Sequence, residues 1–252
     1  MRPVLPVITS PDQLKARLEA RARSVVTDLA DVHDILEQVR EQGDRALRHF
    51  TQTYDGIDIE DPAVPQELLD QGREALTPEL EQAIRDAAAN IRRFHQRQRP
   101  EDFTFRQPDG TQVAWQWRPL SRVGVYIPGG RYPLLSTVLM TVVPAQVAGV
   151  AEIAVCTPPG PSGYPSDVLL GTCALLGLGE VCRVGGAQAI AALAFGTESI
   201  AAVDKIVGPG NRYVTAAKQA VSAQAGSDML AGPTEVVILA DESAKPRWVA
   251  AD

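Results

Sequence analysis

Three glycine-rich turns hold the residues best suited to chemistry: Pro128-Gly129-Gly130, Gly185-Gly186-Ala187-Gln188 and Gly208-Pro209-Gly210-Asn211. Each falls where an apolar, strand-like run gives way to a helix-like one. A helix that starts there presents unpaired backbone N–H groups and a partial positive charge, which together hold phosphate or pyrophosphate. Gln188 and Asn211 open their helices with an amide that both donates and accepts hydrogen bonds. Tyr126 lies at the carboxyl edge of its strand, just before Pro128, where its ring either stacks on a cofactor or packs against the sheet end. Several such turns along one edge of a parallel sheet point to a nucleotide-cofactor crevice.

Other features limit this reading. The dinucleotide fingerprint Gly-x-Gly-x-x-Gly follows none of the strands, and a single glycine at such a turn serves backbone geometry more often than a ligand. A fourth turn, Ala231-Gly232-Pro233-Thr234-Glu235, leads into a strand instead of out of one. Thr234 would then sit at the wrong sheet edge unless its strand belongs to a neighbouring domain, which places a domain crossover near Gly232. His33, His49 and His95 all lie in the helical N-terminal part, where His33 and His49 read as helix-surface residues. No metal-ligand spacing and no Ser/His/Asp arrangement is present. Asp204 and Lys205 are adjacent on a strand, so they face opposite sides and form no acid/base pair.

The positioning elements follow from periodicity. Ser10-Pro11-Asp12-Gln13 and Thr77-Pro78-Glu79 are capped helix starts, and Val32, Ile35, Leu36 and Val39 recur at helical spacing toward Leu47 and Phe50. The first hundred residues are therefore mainly helical. Phe103 and Phe105, then Val113, Trp115 and Trp117, alternate with polar residues around Pro108-Asp109-Gly110, a hairpin signal. Beyond residue 121 strand, turn and helix alternate, with strands expected near 123–127, 152–157, 180–184, 204–207 and 235–240. Helices are expected near 136–150, 166–176, 187–195 and 212–223. This is an α/β pattern: an incomplete Rossmann-like parallel sheet, a helical N-terminal region and part of a second α/β domain. The boundaries are expected at 1–120, 121–232 and 233–252.

Composition sets the class of partner. The 252 residues are 45% hydrophobic with net charge -7, enough for a large core and unsuited to a nucleic-acid surface. The basic stretch from Arg92 to Arg99 reads as a solvated helix end. Cys156, Cys173 and Cys182 form no disulfide framework, which fits a reducing, cytoplasmic setting. The tract from Leu134 to Cys156 is interrupted by Ser136, Thr137, Pro144, Gln146 and Glu152, short of the roughly 20 apolar residues of a membrane span.

The segments Arg122–Gly130, Gly185–Ala191, Val203–Asn211 and Ala231–Val236, in that order, resemble histidinol dehydrogenase. So do Val39–Leu47 and Asn90–His95. The resemblance implies a zinc-dependent homodimer that oxidises L-histidinol to L-histidine through the aldehyde with two NAD, the last stage of histidine biosynthesis. It implies NAD contacts from Tyr126, Gln188 and Asn211, and a substrate contact from Thr234. The family's zinc ligands and its glutamate–histidine acid/base pair match positions past Asp252. No catalytic or metal residue is therefore assigned here, and these 252 residues alone are expected to be inactive. Two other readings remain: a related zinc-dependent dehydrogenase of another small polyol or sulfonated diol, and a non-catalytic nucleotide-binding module.

Overall fold

The computed structural model describes residues 10–129, 133–229 and 238–249. The chain opens with α1 (Pro11–Gln42), started by Ser10, whose hydroxyl accepts from the Gln13 N–H at 3.3 Å. The helix expected from Ser10 and the periodic run from Val32 are one continuous element. It breaks at Gly43, and α2 (Asp44–Asp55) follows. Then come α3 (Gln66–Glu74) and α4 (Pro78–Gln96), the latter capped by Thr77. The expected hairpin is β1 (Phe103–Arg106) paired antiparallel with β2 (Gln112–Trp115). Its aromatics stay exposed: Phe103 and Trp115 stack with centroids 6.4 Å apart, yet each keeps more than half its surface in solvent.

The remaining elements alternate: β3 (Arg122–Tyr126), α5 (Leu135–Ala148), β4 (Glu152–Cys156), α6 (Asp167–Leu175), β5 (Val181–Cys182), α7 (Gly186–Phe195), β6 (Lys205–Val207), α8 (Arg212–Ala220) and β7 (Gly226–Ser227). A short α9 (Pro246–Val249) follows. The five strands are all parallel, in the order β5-β4-β3-β6-β7. Counted along the chain this is 3-2-1-4-5, the doubly wound order, whose direction of winding reverses between β3 and β6. The first three residues of the expected strand at 235–240 fall outside the described residues, and its last three, 238–240, lie outside any strand.

Alternate strand residues feed two cores, as a sheet buried on both faces requires. Tyr126, Ala154, Cys156 and Ile206 pack with α1, α2, α7 and α8. Val123, Val125, Ile127, Ile153 and Val155 pack against α5 and α6. Arg122 ties the amino edge of the sheet. Its guanidinium bonds Glu152 at 2.7 Å and also Glu180, while Asp204 accepts from the Ser121 and Arg122 N–H groups. Asp204 thus closes strand ends. Among the described residues no helix is long and apolar enough to cross a membrane.

Candidate functional site

At the opposite, carboxyl edge, where the winding reverses, a pocket of about 890 Å³ opens. That is the crevice in which doubly wound sheets take ligands, and the volume lies in the range of small-molecule sites, roughly 300–1,000 Å³. Tyr126 from the end of β3, Gln188 from the first turn of α7 and Asn211 from the turn before α8 all line it. Pro158 and Pro159, which follow β4, form part of the wall. Thr234 and Gly130 lie outside the described residues.

Each of the three side chains is held differently. The Tyr126 hydroxyl accepts from the Gly186 N–H at 3.1 Å, joining the end of β3 to the start of α7. Burial pushes the Tyr126 phenol pKa up. The Gly186 N–H bond opposes this, and the nearby Asp55 carboxylate adds to the rise. The phenol is therefore neutral through the physiological range. Asn211 Oδ1 accepts from the N–H groups of Tyr213 and Val214, at 3.0 and 3.1 Å, and so caps α8. Its amide NH₂ is left for the pocket.

Gln188 is the exception. Only 2% of it is exposed, it lines the pocket, and its side-chain amide makes no hydrogen bond among the described residues. The chain folds back over Gly186, where a Cβ would come within 2.6 Å of Gln188 Oε1. The fully buried polar atoms without a partner, among the described residues, are Asp44 Oδ1 and Thr51 Oγ1; the Gln188 amide is not one of them, so its atoms keep contact with the pocket space and are available to a ligand there.

Two of the helix starts read as phosphate cradles are thus partly spent on the protein itself. Tyr126 takes the Gly186 amide and Asn211 takes two amides of α8. The polar side chains that line this pocket include the Gln188 and Asn211 amides.

The third turn is pinned from behind. Lys218, 4% exposed, donates to the Gly208 carbonyl at 2.5 Å and to Asp228 Oδ1 at 2.8 Å, while Asp228 Oδ2 accepts from the Gly208 N–H at 2.8 Å.

The opposite wall comes from outside the sheet: Asp34 and Gln38 on α1, and Tyr54 and Asp55 at the end of α2. Sequence reasoning missed these residues. They occupy helix positions about 70 to 180 residues from the glycine turns and carry no motif. Partial burial raises the Asp55 carboxyl above its ordinary value. The three cysteines are free and buried. Cys156 and Cys182 are register partners on β4 and β5; the Cys182 contact and burial hold Cys156 well above the usual thiol range. Burial pushes Cys173 up to about 12, so it is inert.

The sequence profile described as "Histidinol dehydrogenase" matches residues 18–252. The chain belongs to the histidinol dehydrogenase family. The enzyme of that name from Parasynechococcus marenigrum (strain WH8102) is 49% identical over 240 residues, covering 95% of this chain and 54% of its own length. The enzyme from Methanothermobacter thermautotrophicus is 46% identical over 236 residues, 93% of this chain and 55% of its own. Among solved structures, histidinol dehydrogenase from Elizabethkingia anophelis superposes with a TM-score of 0.79 at 38% identity, over 98% of this chain and 54% of that one. The chain thus spans about half the length of the family members it matches.

Zinc finds no home among the described residues of this histidinol dehydrogenase chain. No group of three or more His, Cys, Asp or Glu is placed to hold a metal ion. Burial holds Cys156 and Cys173 protonated, and the three histidines, on α1, α2 and α4, are not among the residues that line the pocket.

Proposed function

We propose that this chain provides the nucleotide-binding part of a histidinol dehydrogenase, with NAD in the pocket at the carboxyl edge of the sheet. The observation that carries this reading is the unpartnered, buried Gln188 amide beside Tyr126 and Asn211 at the point where the winding reverses. Bound there, NAD would supply the hydride acceptor. Tyr126 keeps its neutral hydroxyl on Gly186 and offers its ring. Gln188 supplies one acceptor and two donors, and Asn211 two donors, to a carboxamide, ribose or phosphate oxygen. Pro158 and Pro159 give an apolar surface for a flat ring.

In the whole family enzyme the reaction is the oxidation of L-histidinol to L-histidine through the aldehyde, each step passing one hydride to one NAD, within a zinc-dependent homodimer. Thr234 is the substrate contact in this reading. Because the described residues do not suit zinc, these 252 residues bind nucleotide without turning over histidinol.

Calorimetric titration of the chain with NAD tests the first part: saturable binding lost on Gln188→Ala supports it, and absence of binding overturns it. Absorbance of NADH in the presence of histidinol and zinc tests the second, where sustained NADH formation would overturn the proposed inactivity.

A further inference from the structure

A doubly wound dinucleotide domain ordinarily holds the adenosine ribose with an acidic residue about 20 residues past its first glycine turn, near the end of the second strand. Here that strand is β4, and it runs out as Cys156-Thr157-Pro158-Pro159, with no carboxylate. The pocket has carboxylates nonetheless, and they come from the helical region: Asp34 on α1 and Asp55 at the end of α2. Among the described residues no lysine or arginine lines the pocket. Arg212, beside it, lies over the Tyr213 ring at 4.8 Å and donates to the Tyr213 hydroxyl. The buried Gln188 amide, aimed into the same space, marks the pocket as a ligand site independently of the two acids.

We propose that Asp34 and Asp55 set the coenzyme preference of this site, accepting hydrogen bonds from the ribose diol of an adenine dinucleotide and rejecting one that carries a 2′-phosphate. The inference rests on the nucleotide reading above. The chemistry is one of matched groups. A ribose diol has two donors and a carboxylate only acceptors, so the two pair directly. A 2′-phosphate carries close to two negative charges and acceptor oxygens alone, and meets like charge where no lysine or arginine lines the pocket among the described residues. Gln38 lies one turn from Asp34 on the same wall and can donate to the second hydroxyl. Selectivity is thereby built by the N-terminal helices, while the sheet domain supplies the crevice.

The experiment is calorimetric titration of the 252-residue chain and its Asp34→Asn, Asp55→Asn and doubly substituted forms with NAD and with NADP. The chain binds NAD at least tenfold more tightly than NADP, and the double substitution narrows that ratio to less than threefold, mainly by strengthening NADP. A ratio unchanged in the double variant, or equal affinity for the two coenzymes in the unsubstituted chain, overturns the proposal. Binding of neither coenzyme overturns the nucleotide reading and the selectivity with it; binding of NAD with an unmoved ratio overturns the selectivity alone. A second measurement needs no variant. Raising the salt to about 1 M shortens the screening length to about 3 Å and narrows the ratio by weakening the like-charge term. A salt-independent ratio counts against the carboxylates.

Discussion

The Lys218 ammonium lies 2.8 Å from Asp228 Oδ1 and 2.5 Å from the Gly208 carbonyl, so one ion pair holds both backbone polar groups of Gly208, three residues before Asn211. Asp228 Oδ2 completes the ring by accepting from the Gly208 N–H. Lys218→Met strips the buried cation and leaves the Gly208 carbonyl and Asp228 facing each other. Breaking a fully buried pair costs roughly 3–5 kcal/mol; Asp228 keeps about a third of its side chain in solvent, so the loss is about 2 kcal/mol. Urea denaturation of the two proteins measures it, and unchanged midpoints would show that the pair contributes nothing.

The same ring sets a pH dependence. Desolvation pushes the Asp228 carboxyl up, but hydrogen bonds from Lys218, Gly208 and Met229, with the Lys218 charge, outweigh it and hold the pKa below the ordinary value. A depressed native pKa contributes stability that is present above the unfolded carboxyl pKa, near 4, and is lost as pH falls through the lower native value. Asp228→Asn removes that part of the acid sensitivity. The variant is less stable than the parent at pH 7, and the gap closes below about pH 4. Denaturant midpoints measured against pH decide it; a constant gap would refute the linkage.

Gly208 has no room for a side chain. Its φ is +113°, and a Cβ there would come within 2.1 Å of the Tyr126 carbonyl oxygen. Gly208→Ala must push β6 from β3 or twist the turn that leads to Asn211. The expected cost is about 2–4 kcal/mol, the sum of backbone strain and overpacking. Thermal unfolding followed by circular dichroism reads this, and a Tm within a degree of the parent would contradict the packing.

Tyr126→Phe separates the hydroxyl from the ring. Removing the oxygen orphans the Gly186 N–H, a loss of about 1–2 kcal/mol in stability. The ring and its surface remain. NAD affinity in Tyr126→Phe therefore falls no more than threefold, whereas Tyr126→Ala loses more than tenfold. Equal losses in the two variants would assign recognition to the hydroxyl instead of the ring.

Local signals in the sequence carried most of the fold. Ser10 and Thr77 each cap the helix that their spacing predicts, and Asp109-Gly110 turns the hairpin. What escaped has little local signal. The helix α3 has only the adjacent pair Leu68-Leu69 as its apolar face, and Gly72 in its middle packs on Gly171 of α6, a contact made by backbone that leaves no hydrophobic period. The strand β7 is two residues long and is defined by pairing with β6 alone. The site divides in the same way. Tyr126, Gln188 and Asn211 are readable because each adjoins a glycine turn. Asp34 and Asp55 reach the pocket only through the packing of α1 and α2 on α7 and α8, which no short segment encodes.

Gln188 separates stability from binding most sharply. Its amide is nearly buried at the pocket wall and has no protein partner among the described residues, so the fold bears part of a desolvation cost that a ligand would relieve. Leucine is close in volume and carries no polar atoms. Gln188→Leu therefore stabilises the free chain by about 1 kcal/mol, in the way that relieving an unsatisfied buried group does. The same change deprives a bound nucleotide of one acceptor and two donors, and NAD affinity falls at least tenfold. Were Gln188 a structural residue, both quantities would fall together. Thermal unfolding and calorimetric titration of one protein preparation measure the pair: a higher Tm with weaker binding supports the ligand-facing amide, and a lower Tm with unchanged binding refutes it.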